Sequence, residues 1–217
     1  MTNLASRRTS SGEVKGASPP PSDARASLRE LVLARHGSTP WSRDGRHTGR
    51  TDLHLDEEGR AQARRLAQLL AGERFSRVLT SPLTRARETC ELAGFGGGAI
   101  VDERLAEWDY GDYEGRTTAE IRAERPSWHL FFDGCPNGES AEAVGRRIDS
   151  LLDGLDHDPD LEGGRVICFA HGHVLRVLAA RWCAMAASDA RLLHLDTARL
   201  CRLGYEHEDR VILAWNL

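Results

Sequence analysis

The 217-residue chain contains no unbroken run of about 18 apolar residues, which excludes a helix crossing a membrane. It has no excess of positive charge: Lys and Arg number 29 against 33 Asp and Glu, a formal net charge of −4. Nor does any basic stretch carry interleaved aromatics. A chain whose main task is to hold nucleic acid needs a basic surface, so that class is set aside, although arginines can still gather locally. The five cysteines, Cys90, Cys135, Cys168, Cys183 and Cys201, form no CxxC pair and no His/Cys cluster at zinc spacing. An odd, scattered set fits a reducing compartment, where each thiol serves as a small core residue. A cytoplasmic location is therefore expected. No internal repeat is visible.

With 40% hydrophobic and 29% charged residues, the composition is that of a soluble globular protein. The length suits one large domain or two small ones, enough to bury a real core. Residues 1–27 differ from the rest, with only Met1, Leu4 and Val14 as large apolar side chains and a Ser18-Pro19-Pro20-Pro21 stretch. Such a segment buries too little to offset its ordering entropy, so a flexible tail is expected. Arg7-Arg8 has no apolar region behind it, which argues against an export signal. Residues 28–217 are expected to form the folded domain.

There, short apolar runs alternate with helical periodicity. Leu31-Val32-Leu33-Ala34 reads as a buried strand ending at Arg35-His36-Gly37. Asp56 suits a helix N-cap, Ala63, Leu66, Ala67 and Leu70 line one face of that helix, and Gly72 can close it. Arg77-Val78-Leu79-Thr80 is a second strand, with Pro82 expected to open the helix after Ser81. Val144, Ile148, Leu151, Leu152 and Leu155 stripe a further helix. Val166-Ile167-Cys168-Phe169 is a third strand, ending at Ala170-His171-Gly172. Residues 198–205 and 210–215 read as a hairpin. The alternation predicts an α/β fold: a three-layer αβα sandwich with a mainly parallel central sheet.

Ligands of such sheets bind beyond the carboxyl ends of the strands. Three strand ends carry candidate chemistry: Arg35-His36-Gly37, Ser81 with Arg85 and Arg87 following, and His171-Gly172-His173. A lone histidine in a turn is commonly incidental. Two imidazoles and a group of guanidiniums on one rim instead suit a phosphate dianion, because the planar guanidinium binds phosphate oxygens bidentately and keeps its charge. Neutral imidazole can also attack phosphorus. A metal site would need a third ligand and a carboxylate-rich surround, so neither metal nor cofactor is expected. Glu107 and Asp109, flanked by Trp108 and Tyr110, both offer a proton donor for a leaving alkoxide, and their chemistry alone does not choose between them.

The order of these pieces resembles the histidine phosphatase superfamily, in its phosphoglycerate-mutase-like branch with an Arg-His-Gly motif. The resemblance rests on Leu33-Ala34-Arg35-His36-Gly37-Ser38-Thr39, Thr48-Gly49-Arg50-Thr51-Asp52-Leu53, Ser81-Pro82-Leu83-Thr84-Arg85-Ala86, Glu107 with Tyr110-Gly111, and Phe169-Ala170-His171-Gly172-His173. It implies that His36 becomes phosphohistidine and that Arg35, Arg85 and His171 bind the transferring phosphoryl group. It makes Glu107 the acid and then the base. Ser42 stands where mutases of the family carry an Asn that touches phosphate. Thr48, Gly49, Tyr110 and, beside His171, Gly172 match positions that face substrate.

The stretch after Glu107 is compact and acidic and leads directly to a helix near residues 117–124, without the long basic insertion of the mutases. Hydrolysis is therefore expected over mutase activity, with a small phosphorylated metabolite, a sugar phosphate or bisphosphate, as substrate. The runs 107–115 and 133–140 look most similar to fungal sedoheptulose-1,7-bisphosphatases and actinobacterial acid phosphatases. The second run, Asp133-Gly134-Cys135-Pro136-Asn137-Gly138-Glu139-Ser140, caps the Val144 helix in this reading and speaks to fold or to substrate equally. A non-catalytic phosphate-binding relative would lack one of Arg35, His36, Arg85, Glu107 or His171, and all five are present.

Overall fold

Side chains in the first strand alternate between two buried faces, and that alternation organises the molecule. In the computed structural model, which describes residues 28–217, β1 (Glu30–Arg35) sends Leu31 and Leu33 into one hydrophobic cluster and Val32 and Ala34 into another. A strand buried on both faces belongs inside a sheet covered on both sides. The tail expected over residues 1–27 lies outside the described residues.

Chain order continues with the single-turn α1 (Pro40–Arg43), α2 (Glu57–Leu69), β2 (Arg77–Thr80), α3 (Thr84–Leu92), β3 (Ala99–Val101), α4 (Thr118–Glu124) and α5 (Leu130–Asp133). It closes with α6 (Ala141–Asp156), β4 (Arg165–Ala170), α7 (Gly172–Trp182), β5 (Leu200–Glu206) and β6 (Asp209–Ala214). The six-stranded sheet runs β3-β2-β4-β1-β5-β6. β1 to β4 are mutually parallel, and the C-terminal hairpin adds antiparallel strands at one edge. Leu66 and Leu70 at the α2 end and Cys90 and Ala93 at the α3 end cover one face. The other face is covered by the Val144–Leu155 stripe of α6 and by Val174, Leu175, Val177 and Leu178 of α7. Mixed α/β architecture with helices on both sheet faces is thus the observed fold. Among the described residues, no helix is long and apolar enough to cross a membrane.

All five cysteines are free thiols, and four of them are buried. Asp56 caps α2 by accepting from the Gly59 N–H at 2.7 Å. One helix start differs from expectation: α3 begins at Thr84, not at Pro82. Leu83 remains extended and gives no side-chain cap. The cap comes from a distant loop, where the Asp52 carboxylate accepts from the Thr84 N–H at 2.7 Å and its hydroxyl at 2.6 Å.

Strand register brings the chemistry to one rim. Arg35 pairs with Ala170 across β1 and β4, so His36 and His171 leave the sheet side by side. Thr80 pairs with Phe169 across β2 and β4, which places Ser81 at the same edge.

Candidate active site

At that rim lies a cavity of about 260 Å³ whose walls include Arg35, His36, Ser42, Thr48, Glu107, Tyr110 and Gly172. His36 is buried, and its Nδ1 lies 2.7 Å from the Gly37 carbonyl. A carbonyl can only accept, so Nδ1 carries the proton and Nε2 of the neutral ring keeps its lone pair. Burial, and then the Arg85 and Arg35 charges, push its pKa well below the ordinary imidazole value, which keeps the ring neutral. The His171 ring lies 5.1 Å from it, centre to centre.

Arg85 and His171 sit fully buried behind this cavity. Arg85 Nε–H donates to His171 Nδ1 at 3.1 Å, which leaves the proton of the neutral His171 ring on Nε2, 2.7 Å from Ser81 Oγ. Burial and both neighbouring arginines hold the His171 pKa well below its usual value. The Arg85 Nη groups donate to the carbonyls of Thr51, Thr48 and Gly49, so this cation also ties down the 48–51 loop. Gly49 packs behind the wall: its N–H donates to the Glu114 carboxylate at 2.9 Å, and a Cβ there would meet the Trp108 carbonyl at 2.5 Å. Arg87 is a correction to the sequence expectation. Two positions past Arg85 on one helix, it points to the opposite side and is exposed, away from the rim.

Arg35 donates through Nη1 to the Leu195 carbonyl, while its buried Nε has no partner. Its guanidinium lies against the first residue of α7. A Cβ on Gly172 would sit 3.1 Å from the guanidinium carbon, so a glycine is needed for this approach. Ser42 reaches the cavity, but its hydroxyl is engaged in a capping box with Thr39 that starts α1.

Geometry separates the two candidate acids. Asp109 pairs with the exposed Arg50 at 2.7 Å. Glu107 lines the cavity and accepts three backbone N–H groups: Trp108 and Val174 on Oε1 at 2.9 Å, and His173 on Oε2 at 3.0 Å. Two of those donors are the free N–H groups at the start of α7. Glu107 therefore caps a helix 66 residues away, while the N-cap residue His171 makes no side-chain cap.

His173, part of the third strand-end motif, also lines the cavity, together with side chains that the sequence pattern did not mark, among them Arg46, His47, Thr118, Arg176 and His194. His173 and His47 lie in or beside motifs of the family, and Arg176 lies one helical turn past Gly172. That i, i+4 spacing was the available signal. Tyr110 shares a 2.6 Å hydrogen bond with His173 Nδ1. Burial raises the phenol pKa well above its ordinary value and depresses that of His173, while His47 falls to about 4 from burial. Among the described residues, no three His, Cys, Asp or Glu side chains are grouped to hold a metal.

The sequence profile of the histidine phosphatase superfamily (branch 1) matches residues 31–217. The chain belongs to this family. Among relatives of this histidine phosphatase, the acid phosphatase of Mycobacterium tuberculosis is 38% identical over 190 residues, covering 86% of this chain and 92% of that protein. The sedoheptulose 1,7-bisphosphatase of Saccharomyces cerevisiae is 35% identical over 180 residues, covering 70% of this chain and 66% of that protein. A probable phosphoglycerate mutase of Cronobacter sakazakii is 31% identical over 197 residues, 87% and 90% of the two chains. A solved structure of an open reading frame product from Mycobacterium tuberculosis superposes with a TM-score of 0.82 at 38% identity, covering 87% of this chain and 97% of that one.

Proposed function

We propose that this histidine phosphatase hydrolyses small phosphomonoesters of the sugar-phosphate kind through a phosphohistidine on His36. The observation that carries the reading is the His36 tautomer: the Gly37 carbonyl holds the Nδ1 proton, leaving Nε2 as a neutral nucleophile on the cavity wall. Nε2 attacks phosphorus as the ester P–O bond breaks, and Glu107 delivers a proton to the leaving oxygen. Water then attacks the phosphohistidine while Glu107 takes its proton, and phosphate departs from a restored His36. The unpaired Arg35 Nε–H offers a donor to the phosphoryl oxygens, and the Arg85 and His171 pair supports them from behind the floor.

Hydrolysis is favoured over phosphoryl transfer between substrate hydroxyls because the segment from Glu107 to α4 is short. It includes one 3₁₀ turn at Gly111–Tyr113 and adds no insertion over the cavity. The test is hydrolysis of an aryl phosphate and of sugar phosphates at pH 5 to 7 in chelator, with a mutase assay alongside. Hydrolysis that vanishes in His36→Ala, with acid-labile phosphate trapped on the unsubstituted protein, is the expected result. Retained turnover in a clean His36→Ala preparation removes this histidine from the mechanism. Dominant mutase activity overturns the hydrolase reading.

A further inference from the structure

Three successive peptide units build the loop that carries the nucleophile, and two of them are tied to backbone at one end. In the unit between His36 and Gly37, the carbonyl accepts from the Ala198 N–H at 3.0 Å and the N–H donates to Thr89 Oγ1 at 3.1 Å. Thr89 can accept there because its own hydroxyl donates to the Arg85 carbonyl at 2.7 Å. In the unit between Ser38 and Thr39, the carbonyl accepts from the Asp56 N–H at 3.1 Å and the N–H donates to Ser42 Oγ at 2.9 Å.

The middle unit, between Gly37 and Ser38, rests on side chains alone. Its carbonyl accepts from His36 Nδ1 at 2.7 Å, and its N–H donates to Gln62 Oε1 at 2.8 Å. A trans peptide points its carbonyl and N–H in opposite directions, so an acceptor that holds the N–H on one side aims the carbonyl at the ring on the other. Gly37 has no Cβ to hinder rotation of this unit. Turned over, the unit would offer the ring an N–H. Nδ1 would then have to accept, the one proton of the neutral ring would sit on Nε2, and the lone pair needed for attack would be lost. Gln62 is half-buried on the second turn of α2, and this is the one hydrogen bond its side chain makes among the described residues.

We infer that Gln62 is a positioning residue: by accepting from the Ser38 N–H it fixes the peptide between Gly37 and Ser38, so that His36 holds its proton on Nδ1 and presents Nε2 as the nucleophile. Its effect on turnover rests on the proposed phosphohistidine reading, whereas the place of the ring proton is observable without substrate. Two readouts on the full-length protein therefore test it. NMR of the protein labelled at its histidine nitrogens reports which nitrogen of His36 carries the proton, the His36 signals being those absent from His36→Ala. Steady-state kinetics on an aryl phosphate give kcat and KM. Both are measured for Gln62→Met, which keeps side-chain length and helix propensity without the carbonyl acceptor, and for Gln62→Glu, which keeps an acceptor oxygen.

Gln62→Met is expected to move the His36 proton toward Nε2 and to lower kcat about tenfold with little change in KM, the size of one hydrogen bond. Gln62→Glu is expected to return the proton to Nδ1 and to recover most of kcat. An unmoved ring proton in Gln62→Met overturns the inference, even if kcat and melting temperature fall together, because that pattern is a packing defect alone. A ring proton that moves while kcat holds overturns it as well, as does an Nε2 proton in the unsubstituted protein or a failure of Gln62→Glu to restore what Gln62→Met loses. If Gln62→Met does not fold, Gln62→Ala is measured in its place. If the unsubstituted protein hydrolyses no ester, the phosphatase reading fails and the ring proton still decides the role of Gln62. A proton shifted in Gln62→Met and restored in Gln62→Glu supports it; an unshifted one overturns it.

Discussion

At the scale of single residues, Glu107 serves two purposes with one carboxylate. Its oxygens satisfy the first N–H groups of α7 and simultaneously face the cavity where a leaving group would need a proton. Glu107→Gln keeps the side-chain shape and one acceptor oxygen but cannot deliver that proton. The expected loss in turnover is about 10²-fold or more for alkyl phosphates, whose leaving oxygen must be protonated, and much smaller for activated aryl phosphates. Equal losses on both classes would show that the variant acts by disturbing α7, and proton delivery would have to be reassigned. Asp109 and Glu107 are equivalent by residue type and neighbours. They are separated by a partner each finds from elsewhere in the chain, Arg50 for one and the start of α7 for the other.

At the scale of elements, the His36 loop is pressed against the start of α2 through two glycines. A Cβ on Gly37 would stand 2.3 Å from the Gly59 carbonyl oxygen, and one on Gly59 would stand 2.0 Å from the Ser38 carbonyl oxygen. Neither obstacle is a flexible side chain, so the helix and loop would have to separate. Gly59→Ala is therefore expected to destabilise the fold by about 1–3 kcal/mol and to lower kcat together with it, although Gly59 touches no substrate. An unchanged melting temperature and unchanged kcat would mean that the two elements slide apart freely.

The 133–140 run has a matching structural role. Ser140 accepts from the Ala143 N–H and caps α6. Glu139 holds Arg147 at 2.9 Å, and Arg147 donates to the carbonyls of Arg104, Ala106 and Glu107. The run thus braces the Glu107 loop. β3 leaves no readable pattern in the sequence, since three residues are too few for alternation to register.

At the scale of the whole molecule, four imidazoles are kept neutral in one region: His36, His47, His171 and His173. Each has a folded-state pKa below its value in the unfolded chain, so the unfolded chain binds more protons once pH falls under about 6.5. Their contribution to stability is fully present above that pH. It is lost as pH falls toward the folded values, about 4 for His47, with a slope of up to about 1.4 kcal/mol per pH unit for each histidine. The melting temperature of the ligand-free protein is expected to drop between pH 7 and pH 5, and a flat profile would show that these rings are not held neutral. On the proposed mechanism, activity is expected to persist in mild acid, because a His36 ring held neutral is not protonated at the ordinary imidazole pKa.

What was legible in the sequence was local or ordered along the chain. The β1, β2 and β4 runs, the Asp56 cap, the α6 stripe and the C-terminal hairpin follow from periodicity and capping chemistry that operate within a few residues. The family could be read from five motifs in order, and the rim residues Arg35, His36 and Glu107 were among them. Tertiary structure decided whatever depends on partners supplied from a distance. Strand register set His36 beside His171, and Arg85 was drawn beneath the cavity by carbonyls of the 48–51 loop. Asp52 moved the start of α3 past Pro82, and the approach of α4 to α7 set Thr118 and Arg176 on one cavity wall. Local pattern specifies which face of an element is apolar, but the direction of a buried polar side chain is fixed by the hydrogen-bond partners that long-range packing supplies.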